Sequence, residues 1–295
     1  MRLTHGRAVA LMVLTTLLWS TAGVIVRHLD SARSFEITFW RSAFNALALG
    51  VALFWMRGPS LWRNLRGAPW PVWVSGACWT VMFTAFMVAV SLTTVANVLI
   101  TMALGPLVTA LFSRLFLNHR LAWRTWAAIG VAGAGIAWMF SQGASSGSLL
   151  GTTVALAVPI AAAINWTVLQ HVNHGEADGQ DMLPAVLIGA ICSSLLTLPL
   201  AYPFQATPHD VGWLAVLGVV QLAIPCLLVV VLTRVLPAPE LSLLGLLEVI
   251  FGVLWAWWFA GEEPGSTALT GGALVIGALV ANELWALREP QRTKA

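Results

Sequence analysis

Charged side chains are scarce in this chain of 295 residues, of which only 9% are Asp, Glu, Lys or Arg. A soluble domain carries about a quarter of such residues. Hydrophobic residues make up 59%, and the mean hydropathy is +0.84. This composition leaves too few polar side chains to cover a water-facing surface, so it excludes a soluble protein and indicates a multi-pass membrane protein.

The chain also lacks the signatures of several functional classes. Its three cysteines, Cys78, Cys192 and Cys226, lie inside apolar runs and have no metal-ligand spacing, so no metal is expected. No phosphate-binding loop of the ATPase type occurs, and we expect no cofactor. Arg and Lys do not cluster on one face, which argues against nucleic acid as a partner.

Long apolar runs are abundant, and a membrane-crossing helix needs about 20 such residues. The sequence predicts ten spans: 8–27, 36–56, 70–90, 95–116, 123–141, 149–171, 183–202, 211–233, 239–260 and 267–286. With the N-terminus in the cytoplasm, twelve of the fifteen Arg and Lys residues fall in cytoplasmic segments. Only Arg27 and Arg33 fall outside, and Arg41 lies within the second span. This asymmetry predicts that both termini are cytoplasmic.

The hydropathy pattern repeats after about 143 residues, so that Trp70 falls on Trp213. The halves 1–143 and 144–295 would then hold five spans each, and an odd number forces the second half to enter the membrane from the opposite side. The predicted fold is therefore an all-α membrane protein of ten transmembrane helices in two inverted five-helix repeats.

Short motifs follow one another along this pattern: Leu18-Trp19-Ser20, Phe39-Trp40-Arg41, the run from Ala96 to Leu104-Gly105-Pro106-Leu107, Leu247-Glu248-Val249, and Gly261-Glu262-Glu263-Pro264. Together they resemble the drug/metabolite transporter superfamily in its ten-helix EamA-type family, and most of all its aromatic amino-acid exporters. The resemblance implies export of small organic solutes, with spans one, three, four, six, eight and nine around a midplane cavity. Spans five and ten would act as scaffold. The chain departs from the family pattern at Val249, where Pro is frequent, and at Asn118-His119, where Gly-Glu is frequent.

Glu248 lies near the middle of the ninth predicted span, and Arg41 lies about one to two turns inside the outer end of the second. Glu248 is either a site for a proton or a substrate ammonium group, or a protonated carboxyl bonded to a neighbouring helix backbone. Arg41 either snorkels outward, or binds carbonyls of the first helix, or captures a substrate carboxylate. We favour a structural role for Arg41.

Uncharged polar and aromatic residues recur near the middle of several spans. If their faces converge, amides and hydroxyls would bind the ends of an amino acid, and rings would stack on its side chain. The alternative is hydrogen bonding between helices, with Trp as ordinary core. The candidate substrate-binding residues are Trp19, Trp79, Phe83, Asn97, Thr101, Asn165, Trp166, Gln221 and Glu248, with Gln170 as a further polar member.

Two further features concern helix geometry. Pro106, Pro159 and Pro225 are predicted to interrupt spans four, six and eight, where kinks either gate the cavity or only improve packing. Spans five and ten carry ladders of small residues, such as Gly130 with Ala134 and Gly277 with Ala281. We expect these ladders to pack the two spans together in a monomer, with a homodimer face as the alternative.

The sequence thus predicts a transporter in a bacterial-type inner membrane, in contact with lipid and a small-molecule substrate. Aromatic or apolar amino acids are the expected cargo. Import, or transport of nucleosides, sugars or drugs, is the first alternative. A membrane-embedded enzyme is the second, although it would need more ionisable groups at the bilayer centre than Glu248.

Overall fold

The computed structural model describes residues 3–26, 28–93, 95–117, 121–139, 141, 149–175, 181–260 and 265–288. All regular structure in these residues is helical. The helices are α1 His5–Ser20, α2 Ala22–Val26, α3 Ser34–Arg57, α4 Ser60–Arg66, α5 Trp70–Leu92, α6 Val95–Met102, α7 Gly105–Phe116, α8 Trp123–Met139, α9 Leu149–Gly175, α10 Leu183–Ala201, α11 Pro208–Val216, a π-helix Leu217–Ala223, α12 Ile224–Leu232, α13 Ala238–Gly245, α14 Leu247–Ala260 and α15 Ser266–Arg288.

Seven segments of the described chain are long and apolar enough to cross a membrane: His5–Val26, Phe35–Arg57, Trp70–Leu92, Leu149–Asn173, Leu183–Ala201, Pro208–Leu232 and Ala238–Phe259. They match seven of the predicted spans. The other three predicted spans are helical but less extended. Span four is divided into α6 and α7, span five is the 17-residue α8, and the apolar part of α15 is short. Ten crossings therefore remain a prediction.

The prolines act differently in the three spans where interruption is predicted. Pro106 lies in the first turn of α7, directly after the break that ends α6, and Pro225 lies in the first turn of α12, directly after the π-helix. Proline is tolerated there because the first N–H groups of a helix have no partner within it. Pro159, by contrast, lies inside the continuous helix α9, so span six is not divided there, and a kink at this proline stays a prediction. Contacts of α9 with α5, α6, α7 and α13 hold that helix together across the proline.

Corresponding helices of the two halves contact each other. α3 packs on α10, α8 packs on α15 and α7 packs on α13. Helix α5 of span three contacts α9 of span six, and α12 of the corresponding span eight contacts α1 of span one. Such matched contacts are expected when a two-fold axis relates the halves. Most of the core therefore lies between the halves rather than within either one.

Hydrogen bonds and an ion pair give the directions of α3 and α10. At the start of α3, the Glu36 carboxylate accepts hydrogen bonds from the backbone N–H groups of Gln205 and Ala206, which follow α10. At the end of α3, Arg57 forms an ion pair with Asp181, which precedes α10. Helix α3, which is predicted span two, therefore runs antiparallel to α10, which is predicted span seven.

Helices α8 and α15, which are predicted spans five and ten, are also antiparallel. Trp138 near the end of α8 donates to Thr270 near the start of α15 (2.9 Å), whereas Arg124 at the start of α8 donates to the carbonyl of Asn282 (3.1 Å). The two helices pack together as predicted, but through residues other than the predicted ladders. Gly130 and Gly277 have no described atom within 4 Å of a Cβ position, and the close approach is between Gly135 and Gly271. The buried face of α8 is set by its larger side chains, such as Ile129 and Ile136, which the spacing of small residues does not reveal.

Replacing Gly271 with alanine should lower the stability of the protein. Its Cβ would lie 2.4 Å from the carbonyl oxygen of Gly135 and 2.4 Å from Met139 Cγ, so backbone must move. Overpacking costs about 1–3 kcal/mol, whereas alanine regains only about 1 kcal/mol of helix propensity. We expect a lower thermal unfolding midpoint in detergent. Gly277→Ala in the same helix is the matched control and should leave the midpoint equal or higher. Equal midpoints for the two variants would contradict the close contact.

Candidate functional site: a central cavity

A cavity of about 180 Å³ lies between the two halves. A single water molecule needs about 10–15 Å³ by the same kind of measure, so a small organic molecule has room. The wall is formed by residues of predicted spans one, two, three and four from the first half and six, eight and nine from the second. Among the described residues, spans five and ten contribute none. The lining therefore agrees with the division implied by the family resemblance, except that Arg41 adds span two.

One side of the cavity is aromatic. Trp79, Phe83 and Phe86 lie on one face of α5, because residues three, four and seven apart align on a helix. The Trp79 ring contacts Phe83 at a centroid distance of 5.4 Å and meets Trp166 of α9 edge-on at 5.5 Å. Trp19 of α1 also lines the cavity. Phe86 was absent from the predicted set, although its spacing from Trp79 is a signal that could have found it.

The predicted binding residues divide into two groups. Six line the cavity: Trp19, Trp79, Phe83, Trp166, Gln221 and Glu248. Thr101 and Asn165 are buried away from it, and the side chain of Asn97 lies outside the described residues, as do Asn118-His119 and Gly261 to Pro264. Asn165 and Trp166 are adjacent on α9 and point about 100° apart, and of the two only Trp166 lines the cavity.

Asn165 has a structural contact instead. Its side-chain oxygen accepts a 2.5 Å hydrogen bond from the Ser75 hydroxyl of α5, and both residues are fully buried. Gln170 likewise bonds to the backbone N–H of Ala238 at 2.9 Å. The interhelical alternative therefore describes Asn165 and Gln170 better than substrate binding does.

Replacing Ser75 with alanine should destabilise the fold without altering the cavity wall. The Asn165 oxygen would be left buried and unpaired, at a cost of about 1–3 kcal/mol. We expect a lower thermal unfolding midpoint. Ser91→Ala is the matched control on the same helix, because its exposed hydroxyl only donates to the carbonyl of Val88. An unchanged midpoint for Ser75→Ala would show that the Ser75–Asn165 bond contributes nothing to stability.

Arg41 and Glu248 are the charged residues on the cavity wall within the described part of the chain. Arg41 is 5% exposed; its Nη1 contacts Met87 Sδ at 3.8 Å, and its Nε has no hydrogen-bond partner. Glu248 lies in the first turn of α14, is half-buried, and makes no hydrogen bond to any other described residue. The two groups carry opposite charges and line the same cavity. Arg41 is therefore buried rather than directed outward, and among the described residues it makes no hydrogen bond to a carbonyl of the first helix. A structural role for Arg41 by another contact stays a prediction.

Two further polar atoms on the wall have no partner. Gln221, within the π-helix, donates through Nε2 to the carbonyl of Trp19 (3.0 Å), but its Oε1 is buried and unpaired. The indole N–H of Trp79 is also buried and unpaired. Buried polar atoms are nearly always hydrogen-bonded, so unpaired ones beside a cavity indicate a place for a polar solute or water.

The polar cluster outside the cavity is structural. Asp30, His209 and Asp210 come close together where the segment after α2 meets α11. The Asp210 carboxylate already accepts hydrogen bonds from the backbone N–H groups of Asp30, Ser31 and Thr207. The Asp210 carboxylate therefore caps α11 and links the segment after α2 to this helix. Both of its oxygens already accept hydrogen bonds.

The sequence matches one protein-family model twice, once in each half, over residues 6–141 and 149–282. The chain belongs to the EamA-like transporter family. This confirms the resemblance to EamA-type proteins and makes the chain a multi-pass membrane protein of a transporter family. A solved structure described as "Crystal structure of protein" has a TM-score of 0.78 to this EamA-like chain and 19% sequence identity. It covers 97% of this chain and 99% of its own, and at that identity it shows the shared fold alone. No curated protein matches the chain.

Proposed function

We propose that this EamA-like protein exports small organic solutes from the cytoplasm of a bacterial-type cell across the inner membrane, and that its cargo is aromatic or apolar amino acids. The observation that carries the proposal is the cavity between the halves, which combines an aromatic side with unpaired polar and charged groups. Rings suit an apolar or aromatic side chain, and the polar groups suit the carboxylate and ammonium of an amino acid.

We further propose that the halves are inverted repeats, with both termini in the cytoplasm. The antiparallel directions of α3 relative to α10, and of α8 relative to α15, support this arrangement. Inverted repeats allow a midplane site to open to either side when the two repeats rock against each other. The helix breaks beside Pro106 and at Leu246 adjoin the cavity and supply places where such a motion could hinge.

Counterflow in liposomes tests the function directly. Purified protein is reconstituted, the vesicles are loaded with one unlabelled solute, and uptake of trace labelled tryptophan or leucine is measured. We expect accumulation only when an amino acid is inside. Loading with nucleosides or sugars tests the alternative cargoes, and protein-free vesicles are the blank. If tryptophan and leucine fail to exchange while another solute class does, the amino-acid proposal is wrong; exchange of no class would refute transport by this cavity.

A further inference from the structure

We infer that Arg41 and Glu248 together form a site selective for zwitterions, in which Arg41 binds the substrate carboxylate and Glu248 binds the substrate ammonium group. This inference rests on the proposed function and deepens it, because it names the part of the substrate that is obligatory. Free α-amino acids would be accepted, whereas their decarboxylated and deaminated analogues would be rejected.

The surroundings of Arg41 leave its charge unsatisfied. Burial of a guanidinium is costly unless it is paired and hydrogen-bonded. Among the described residues its hydrogen-bonding contact is the weak acceptor Met87 Sδ at 3.8 Å, and its Nε–H has no acceptor. The planar fork of N–H groups suits the two oxygens of a carboxylate. The cavity beside Arg41 is where such a carboxylate can reach it.

Glu248 provides the opposite charge from the other half of the protein. It follows the interruption at Leu246, which separates α13 from α14, and this break places it on the cavity wall. Its carboxylate has no hydrogen-bond donor among the described residues, so acceptor oxygens remain for an ammonium group. The unpaired Oε1 of Gln221 is a second acceptor on the same wall.

The selectivity follows from the placement of two opposite charges on the wall of one cavity. A zwitterion offers a counter-charge to both groups at once. A ligand with a single charge neutralises one group and leaves the other without compensation in a buried place, which is costly. Sites built to pair buried polar groups reject analogues that lack one partner by factors of up to about 10⁴–10⁵.

Three ligands with one indole ring test this inference: tryptophan, tryptamine, which lacks the carboxylate, and indole-3-propionate, which lacks the ammonium group. The full-length protein is reconstituted, and each ligand competes with labelled tryptophan in counterflow. We expect each analogue to compete at least about ten-fold more weakly than tryptophan, a modest part of the discrimination such sites reach. Equal competition by all three ligands would overturn the inference while leaving the proposed function intact. Failure of unlabelled tryptophan and leucine to compete would instead count against the proposed function.

Two substitutions separate recognition from a structural role. Arg41→Met should weaken the binding of tryptophan and reduce the preference for tryptophan over tryptamine. The preference for tryptophan over indole-3-propionate should remain. Glu248→Gln should instead reduce the preference for tryptophan over indole-3-propionate and leave the preference over tryptamine. A uniform loss for all three ligands in both variants, without these crossed changes, would mean that the residues only support the fold and would overturn the inference. Arg41→Lys retains the charge and should partly restore the preference over tryptamine; if a variant does not fold, the wild-type ligand series alone decides.

Discussion

Replacing Gly245 with leucine is expected to lower amino-acid counterflow by about ten-fold or more, because the new side chain would occupy the cavity. Gly245 ends α13 and lines the cavity, and no described atom lies within 4 Å of its Cβ position. The Cβ of the new leucine therefore meets open space, and the rest of the side chain can extend into the cavity. A bound solute would have to displace it or bind in a smaller volume, and a loss of about 1.4 kcal/mol already lowers affinity ten-fold.

Gly252→Leu is the matched control for this substitution. Gly252 lies one helix further along, also has no described atom within 4 Å of its Cβ position, and does not line the cavity. Both substitutions replace glycine in or beside a helix, where leucine is favoured by about 1 kcal/mol, so neither should unfold the protein. Transport should be retained in Gly252→Leu. Normal transport in Gly245→Leu, in protein with an unchanged unfolding midpoint, would show that solute does not pass through this cavity.

The apolar runs predicted the positions of the helices well, because the bilayer dictates their length and composition. They could not predict where helices break. The π-helix before Pro225 and the interruption at Leu246 occur within long, predominantly apolar runs, whose periodicity does not mark a break. Both irregular segments adjoin the cavity. Irregular backbone is tolerated at membrane depth only where protein or a water-filled space surrounds it. Helix breaks are therefore expected beside a functional cavity.

Which residues face the cavity was predictable only in part. Trp19, Trp79 and Glu248 were found because large aromatic or ionisable groups are costly or conspicuous within spans. Thr101 and Asn165 were placed with them by chemistry alone, yet a helix face is fixed by what packs against it. Asn165 turns towards Ser75, a neighbour 90 residues away in sequence. Arg41 shows the opposite error. Its position near the end of a span suggested that the side chain extends outward, but the side chain is buried.

Replacing Trp79 with leucine should change which amino acids are preferred. Trp79 is 2% exposed, stands between Phe83 and Trp166, and is the ring that both others contact. Aromatic pairs contribute about 0.5–1.5 kcal/mol beyond the area they bury, and a substrate ring would lose that contact together with apolar surface. We expect tryptophan to compete about ten-fold more weakly in counterflow, a change of about 1.4 kcal/mol, whereas leucine should change by less than about three-fold.

Comparing two ligands in one variant removes the effect of any loss of folded protein, because a smaller folded fraction lowers both signals equally. Trp79→Phe keeps an aromatic ring, although a smaller one, and removes the unpaired indole N–H, so the preference for tryptophan should persist. Trp70→Leu, on the exposed first residue of the same helix, should leave both ligands unchanged. A parallel loss of tryptophan and leucine in Trp79→Leu would mean that the ring only shapes the cavity. A loss confined to tryptophan would place the substrate ring against α5, with the charged end of the amino acid directed towards Arg41 and Glu248.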